Sequence, residues 1–190
     1  MQSNVLASRF PLLGSEVARQ ALLVVLGVAA ITLAAKIRVP MWPVPVTMGT
    51  FAVLTVGAVY GLRLSVITLL AYLALGAAGV AVFAGDTAGL AYMAGPTGGY
   101  LLGYLVAAAT VGWLAGRGWS RSVVGMIAAL VVGNALIYAF GMPWMAYLFL
   151  AEKGSAWVMQ WGMTNFFVGD AVKLMLAALL VPALWKLTQR

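Results

Sequence analysis

The sequence contains no cysteine and no histidine among its 190 residues. These absences exclude disulfides, thiol nucleophiles, Cys/His metal sites, haem ligation by either residue and imidazole general bases, so most classes of membrane enzyme are disfavoured. We therefore expect no catalytic residue, no metal and no cofactor. Charge is also scarce, since charged residues make up 8% of the chain and its acidic residues number four. The chain lacks a Gly-x-x-x-x-Gly-Lys-Ser/Thr loop, so it cannot hydrolyse ATP through a P-loop.

Apolar side chains, by contrast, make up 64% of the residues. This composition excludes a soluble domain and predicts an all-α integral membrane protein with several spans. The net charge of +7 does not indicate a nucleic-acid partner, because the basic residues lie scattered at the ends of apolar segments and form no contiguous stripe.

Six segments approach the length of about 20 apolar residues that crosses a bilayer. They cover residues 18–37, 46–60, 62–80, 100–115, 123–140 and 165–185, within a single transmembrane domain of residues 1–190. The prolines of the segment 40–45 should end the first span. The second span is short, so we expect it to tilt or to be completed by this proline-rich segment folding back into the membrane. After the fifth span we expect a loop that holds Pro143, Trp144, Glu152 and Lys153.

The basic residues orient these spans through the positive-inside rule. With both termini cytoplasmic, the cations on the inner side are Arg9, Arg19, Arg63, Arg117, Arg121, Lys186 and Arg190. The inner loops are then short, and the long connectors rich in glycine, proline and aromatic residues face outside. Irregular backbone at membrane depth is tolerated where it lines a cavity or is buried in protein. We therefore expect an outward-facing pocket for a solute.

Two charged residues, Asp170 and Lys173, lie inside the last apolar segment. An ionisable side chain at membrane depth costs a few kcal/mol unless it faces a cavity or a partner, so such residues are functional candidates. Three residues apart on a helix, they lie on the same face. They can bind one polar ligand, or they can form an ion pair that only fixes the helix in the bundle. In the first case we expect Lys173 to bind a carboxylate and Asp170 to bind a hydrogen-bond donor of the same solute.

Further polar and aromatic residues complete the expected site. Thr47 and Asn134 are candidate hydrogen-bonding residues, with the alternative that each only bonds a backbone carbonyl of a neighbouring helix. Trp42, Phe83 and Tyr92 are candidate aromatic residues, with the alternative that each anchors a segment end at the membrane interface. One cation, one anion and several aromatics describe a site for one small, partly apolar solute. The helices carry no continuous polar stripe of the kind that an ion channel or proton relay needs.

Four motifs resemble those of the BioY biotin-binding S-components of energy-coupling factor (ECF) transporters. In chain order they are Pro43-Val44-Pro45-Val46-Thr47-Met48, Pro96-Thr97-Gly98-Gly99-Tyr100, Gly133-Asn134 and Val168-Gly169-Asp170-Ala171-Val172-Lys173. The resemblance is collinear and covers nearly all of the chain. It implies a six-transmembrane-helix bundle of the S-component type in the cell membrane, which captures biotin from outside. It also carries the Asp and Lys of the family's sixth-helix motif onto Asp170 and Lys173. Tyr100, at the end of the second motif, is a further candidate substrate-binding residue.

The resemblance implies partners as well, namely a transmembrane coupling protein and a pair of ABC ATPases. Ala30 and Ala34 form an Ala-x-x-x-Ala pattern similar to the surface on which S-components dock to the coupling protein, and ordinary packing within the bundle is the alternative. Gly49 stands where the family usually has glutamine after its Pro-x-Thr-x stretch. That departure removes one polar side chain near the expected site.

Two other functions agree with parts of the sequence. Val168-Gly169-Asp170 is similar to the Gly-x-Gly-Asp motif of intramembrane aspartyl proteases, but Phe167 replaces the first glycine and the other aspartate, Asp86, lies in an outer loop. A carboxylate pair that acts as acid and base needs both groups in contact. The second alternative is a self-sufficient carrier for another small vitamin-like carboxylate, which Asp170 and Lys173 alone do not exclude.

Overall fold

The structure, a computed structural model, describes residues 15–187. Arg9 and Arg190, which the charge pattern assigns to the cytoplasmic side, lie outside the described residues. The helices are α1 (Glu16–Lys36), α2 (Gly49–Ala77), α3 (Gly89–Met93), α4 (Gly98–Gly116), α5 (Val123–Lys153), α6 (Ser155–Gly162) and α7 (Phe167–Leu187). Between α1 and α2, the two-residue strands β1 (Arg38–Val39) and β2 (Val46–Thr47) pair antiparallel.

The helices present apolar side chains to their surroundings as well as to one another. Within residues 15–187, five helical runs are long and apolar enough to cross a membrane, and α6 and α7 together form the last of them. Each run exposes large apolar side chains, for example Leu33, Leu70, Leu102, Val124 and Leu179. Exposed apolar surface of this extent fits contact with lipid. The expected all-helical membrane fold is confirmed.

The long helix α2 is a helical hairpin with its tip at Gly61. This residue has φ 75° and ψ 176°, a conformation that interrupts the helix and that glycine alone adopts readily. On either side of it, Gly57 and Ser65 approach the same carbonyl oxygen, that of Ala108 in α4. The Ser65 hydroxyl donates to this oxygen at 3.3 Å, and a Cβ atom on Gly57 would lie 2.9 Å from it. The limbs 49–60 and 62–77 therefore run antiparallel, and together with α1, α4, α5 and α7 they make six main helical limbs within residues 15–187.

Helix α4 lies between the α2 hairpin and α5 and packs closely against both. A Cβ atom on Gly112 would lie 2.6 Å from the carbonyl carbon of Gly61, and one on Gly103 would lie 2.9 Å from the backbone of Ile137 in α5. Small residues allow such close approach of backbones, which is a common source of helix association in membranes. Glycines thus fix the hairpin tip and α5 against the two faces of α4.

The largest departure from the predicted spans lies in α5. This helix continues through Pro143 to Lys153, so the predicted loop after Phe140 is wrong. Proline removes one helical hydrogen bond, but the residues after it remain apolar, and neighbouring helices can satisfy the freed carbonyl group in a membrane. The Trp144 indole N–H donates to the Gly95 carbonyl oxygen at 2.9 Å, which ties the extended part of α5 to the segment before α4.

The long connectors between α1 and α2 and between α2 and α4 lie at one end of the bundle. There the Lys36 ammonium donates to the Gly85 carbonyl oxygen at 2.6 Å, and the ring of Trp42 lies 5.7 Å from that of Trp157. At the opposite end, the Trp185 indole donates to the Ser120 hydroxyl at 3.1 Å, so the end of α7 meets the turn between α4 and α5. A cavity opens among the connectors of the first end.

Candidate functional site

The cavity has a volume of about 640 Å³, counted out to its open mouth. Helices α2, α4, α5 and α7 form its walls together with the segment before β2 and the segment between α2 and α4. The polar side chains that line it are Thr47, Thr50, Tyr72, Tyr92, Thr97, Tyr100, Tyr104, Asn134, Tyr138, Asp170 and Lys173.

The short first limb of α2 places the cavity at membrane depth. Its twelve residues, 49–60, reach about 18 Å at about 1.5 Å per residue, which is less than the roughly 30 Å of the hydrocarbon core. The preceding residues Val44 and Thr47 line the cavity, and Val44 is buried. Irregular backbone at this depth is tolerated because it borders a cavity inside the protein.

Asp170 and Lys173 form an ion pair on α7, with 5% and 6% of their surfaces exposed. The Lys173 Nζ atom lies 3.1 Å from Asp170 Oδ1. On α5, the Tyr138 hydroxyl donates to Asp170 Oδ2 at 2.5 Å and the Asn134 amide donates to the same atom at 3.2 Å. The Lys173 ammonium also donates to the Thr50 hydroxyl on α2 at 3.2 Å. Three helices thus contribute to one hydrogen-bonded cluster, which we call the polar cluster.

Hydrogen-bond counting shows what the polar cluster leaves available to a ligand. Lys173 has three N–H donors, and Asp170 and Thr50 accept two of them. The Asp170 carboxylate has about four acceptor positions, and three protein donors occupy three of them. Within residues 15–187, the Asp170–Lys173 pair therefore has zero net charge and retains one donor on Lys173 and one acceptor position on Asp170.

Aromatic rings form an apolar part of the wall. Phe83 is fully buried, and its ring stacks on that of Tyr92 with centroids 4.9 Å apart and planes inclined by 13°. Tyr72 meets Phe83 edge-on at 5.4 Å, and its hydroxyl donates to the Val82 carbonyl oxygen at 3.2 Å. These contacts hold the rings in place, so the wall is preformed for an apolar group.

The structure brings most of the predicted site residues together. Those that line the cavity are Asp170, Lys173, Thr47, Asn134, Phe83, Tyr92 and Tyr100. Trp42 is not among the lining residues, because its side chain is 62% exposed and contacts the rings of Phe149 and Trp157. The two predicted hydrogen-bonding residues differ in their partners. The Asn134 amide donates to the carboxylate of Asp170, and the Thr47 hydroxyl accepts from the Gly49 N–H at 3.0 Å.

Gly49, which replaces the glutamine usual in the family, lies close to the hydroxyl group of Tyr104. A Cβ atom there would lie 2.9 Å from the Thr47 hydroxyl oxygen and 3.2 Å from the Tyr104 hydroxyl oxygen. A glutamine at this position would therefore need Tyr104 to move. The Tyr104 hydroxyl supplies a polar group close to the place where the resemblance leads one to expect an amide.

The sequence reasoning missed several lining residues, among them Thr50, Tyr104 and Tyr138. Tyr138 lies one helical turn after Asn134, and Tyr104 lies one turn after Tyr100, so the (i, i+4) spacing from a predicted site residue could have indicated both. Thr50 carries no such signal, because its position opposite Lys173 depends on how α2 packs against α7.

The two predicted docking residues differ in exposure. Ala30 is exposed on α1, but Ala34 is buried inside the bundle. Gly27, which precedes them on the helix, faces the side chains of Tyr60 and Thr68 in α2. The two alanines therefore do not share one exposed surface in this structure, and their role in docking stays a prediction.

Comparison with known proteins identifies the family. The sequence model of the BioY family matches residues 3–190. The "Probable biotin transporter BioY" of Pyrococcus horikoshii is 36% identical over 167 residues, which cover 88% of this chain and 96% of the relative. The "Biotin transporter BioY" of Thermotoga maritima is 34% identical over 159 residues, which cover 84% of this chain and 91% of the relative.

A solved structure shares the fold. It is a crystal structure of the S-component for biotin from an ECF-type ABC transporter, with a TM-score of 0.77 and 22% sequence identity. The likeness covers 92% of this chain and 95% of that one. Together with the family match, these findings show that the chain belongs to the BioY family.

Proposed function

We propose that this BioY-family protein binds biotin in the cavity and acts as the substrate-capture S-component of an ECF-type ABC transporter. The observation that carries the proposal is the Asp170–Lys173 pair of the polar cluster, which offers one free donor and one free acceptor within a cavity at membrane depth. The names of the relatives and the shared fold support the same function.

The ureido ring of biotin is complementary to this pair of free positions. It carries N–H donors next to a carbonyl acceptor, so Asp170 can accept from an N–H while Lys173 donates to the carbonyl oxygen. Because the two side chains are 3.1 Å apart, they meet the same end of an extended biotin, whose carboxylate lies beyond the valerate arm. We therefore assign the ureido head to both residues, in place of the division that gives the carboxylate to Lys173.

The apolar parts of biotin fit the remaining lining. The thioether ring and the valerate arm would pack on the stacked rings of Phe83 and Tyr92 and on Ile137, all of which line the cavity. Burial of apolar surface contributes about 25 cal/mol per Å², so this contact supplies much of the affinity. Hydrogen bonds of the ureido head then supply the specificity.

The arrangement in the cell follows from charge and from the missing P-loop. We place residues 1–190 in the cell membrane as one transmembrane domain with both termini cytoplasmic, because Arg63, Arg117, Arg121 and Lys186 lie near the end of the bundle opposite the cavity and the positive-inside rule assigns such an end to the cytoplasm. The cavity then opens to the outside. Energy for uptake would come from the coupling protein and the ABC ATPases, since the chain itself has no nucleotide-binding loop.

Calorimetric titration of the detergent-solubilised protein tests the proposal. Biotin and desthiobiotin, which both keep the ureido group, should bind with a stoichiometry of about one. Lipoic acid keeps the valerate arm but has a disulfide ring in place of the ureido ring, and it should not compete. Equal binding of lipoic acid and biotin would refute the ureido assignment, and absence of biotin binding would refute the function. Biotin uptake into liposomes that lack the ATPases would indicate a self-sufficient carrier.

A further inference from the structure

The biotin site of the proposed function lacks a cation for the ligand's carboxylate. The ionisable acid and base that line the cavity, Asp170 and Lys173, neutralise each other at 3.1 Å. A ligand carboxylate therefore brings an unbalanced negative charge into a partly buried space. Such a charge is unfavourable unless it meets a cation or stays hydrated at the mouth.

A cation lies at the rim of the cavity. Lys36 is the last residue of α1 and follows Ala35, which is buried and lines the cavity. The Lys36 ammonium donates to the carbonyl oxygen of Gly85 at 2.6 Å. Gly85 in turn follows the lining residue Ala84, and a Cβ atom on it would lie 3.8 Å from the ring of Tyr92, which also lines the cavity. The ammonium is therefore held where α1 meets the aromatic wall.

The Lys36 ammonium has N–H groups available to bind a ligand. It has three N–H groups, of which the Gly85 carbonyl accepts one. Within residues 15–187, no carboxylate lies within 4.0 Å of it, and Asp86, the acid nearest to Gly85 in sequence, forms no ion pair. Lys36 is exposed, so its free N–H groups point to water or to the mouth and not into packed protein.

We propose that Lys36 binds the carboxylate of the ligand at the mouth of the cavity. The inference rests on the proposed function and gives the site two ends: the polar cluster holds the ureido head, and Lys36 holds the carboxylate across the aromatic wall. The bond to Gly85 fixes the ammonium in place, so the ligand does not bear the whole cost of ordering a long side chain. Lys36 would then distinguish the acid from neutral derivatives of the same molecule.

Arg38 serves as the matched control, and Lys173 represents the competing assignment. Arg38 lies two residues further along in β1, opposite Thr47 in the ladder, and is exposed like Lys36. Within residues 15–187, its side chain forms no hydrogen bond to the segment 82–85, so it lacks the fixed position at the aromatic wall. Lys173 is the cation that the alternative arrangement would use, with the carboxylate at the polar cluster.

The test compares the dissociation constants of biotin and biotinamide, whose carboxamide carries no charge. The wild-type protein should prefer biotin by about fivefold to tenfold, as expected for a charge-assisted bond at a partly exposed position. Lys36→Met and Lys36→Gln should remove this preference by weakening biotin alone, while Lys36→Arg and Arg38→Met should retain it. Unchanged affinity for biotinamide shows that the variant site is intact.

Three outcomes would overturn the assignment: a wild-type protein without preference, a Lys36→Met variant that keeps the full preference, or loss of the preference in Lys173→Met alone. Each of these presupposes that biotin binds. A wild-type protein that binds neither compound would instead refute the proposed function, so the two failures are distinguishable.

Discussion

Replacing either member of the Asp170–Lys173 pair should destabilise the protein, but by unequal amounts. In Lys173→Met, the Asp170 carboxylate keeps two donors, the Tyr138 hydroxyl at 2.5 Å and the Asn134 amide at 3.2 Å. In Asp170→Leu, the Lys173 ammonium loses its counter-ion and keeps the Thr50 hydroxyl at 3.2 Å. Leucine is similar in size to aspartate and carries no acceptor, so it leaves the ammonium with this one partner.

The magnitudes follow from these partners. Removing one partner of a buried ion pair costs about 3 to 5 kcal/mol, because the remaining charge is buried without compensation. We expect Asp170→Leu to fall in this range. Lys173→Met should cost less by about 1.5 to 3 kcal/mol, which is the value of one hydrogen bond to a charged group. For a protein of this size that difference corresponds to about 3 to 12 °C in Tm.

Tryptophan fluorescence of the detergent-solubilised protein during heating measures this difference. The chain has seven tryptophans and no cysteine, so intrinsic fluorescence reports unfolding where a thiol-reactive dye cannot. Biotin affinity is measured on the same samples. If the pair binds the ureido head, each single variant should bind about tenfold to a hundredfold more weakly, and the double variant should bind no better than the weaker single variant.

Two results would refute the reasoning. An equal loss of Tm in the single variants would show that Tyr138 and Asn134 do not support the charge of Asp170. Biotin affinity near the wild-type value in the double variant, which leaves no buried charge unpaired, would show that the pair only fixes α7 in the bundle.

Three further changes test other parts of the structure. Tyr138→Phe removes a donor to Asp170 without changing the ring, and calorimetry should show biotin affinity about tenfold weaker because a bond to a charged group is lost; unchanged affinity would contradict a role in the site. Gly112→Ala should lower Tm through a cost of about 1 to 3 kcal/mol, since its Cβ would overlap α2, whereas the control Gly116→Ala places its Cβ in open space. Single cysteines at Arg117 and Glu152, both exposed, should react with impermeant reagents from the cytoplasmic and outer side respectively, and the reverse labelling would overturn the orientation.

The site residues that could be predicted from the sequence are polar side chains whose burial within a single apolar segment is energetically costly. A carboxylate and an ammonium within an apolar run are expensive whatever surrounds them, so Asp170 and Lys173 stood out before any fold was known. Asn134, an amide in the middle of an apolar helix, stood out for a similar reason. The six-limb architecture likewise follows from segment lengths and apolar composition.

The parts that could not be predicted depend on packing between helices. Thr50 meets Lys173 only because α2 lies against α7, and no spacing within either helix indicates this. A tryptophan at a segment end has the same pattern whether it lines a cavity or not, and Trp42 turned outward. Pro143 lies in α5 and not in the loop predicted after Phe140, because the local rule for proline does not include the neighbouring groups that compensate for it in a membrane.

The helical hairpin of α2 bears on the biogenesis of the protein. Its limbs, residues 49–60 and 62–77, are each shorter than the roughly 20 residues that the translocon recognises as one spanning segment. Neither limb should therefore partition from the translocon into lipid alone, and the two should leave it together as a preformed turn. Gly61, the residue at the tip, would then act during synthesis: a bulkier residue there should delay membrane insertion and expose the nascent chain to quality-control proteolysis.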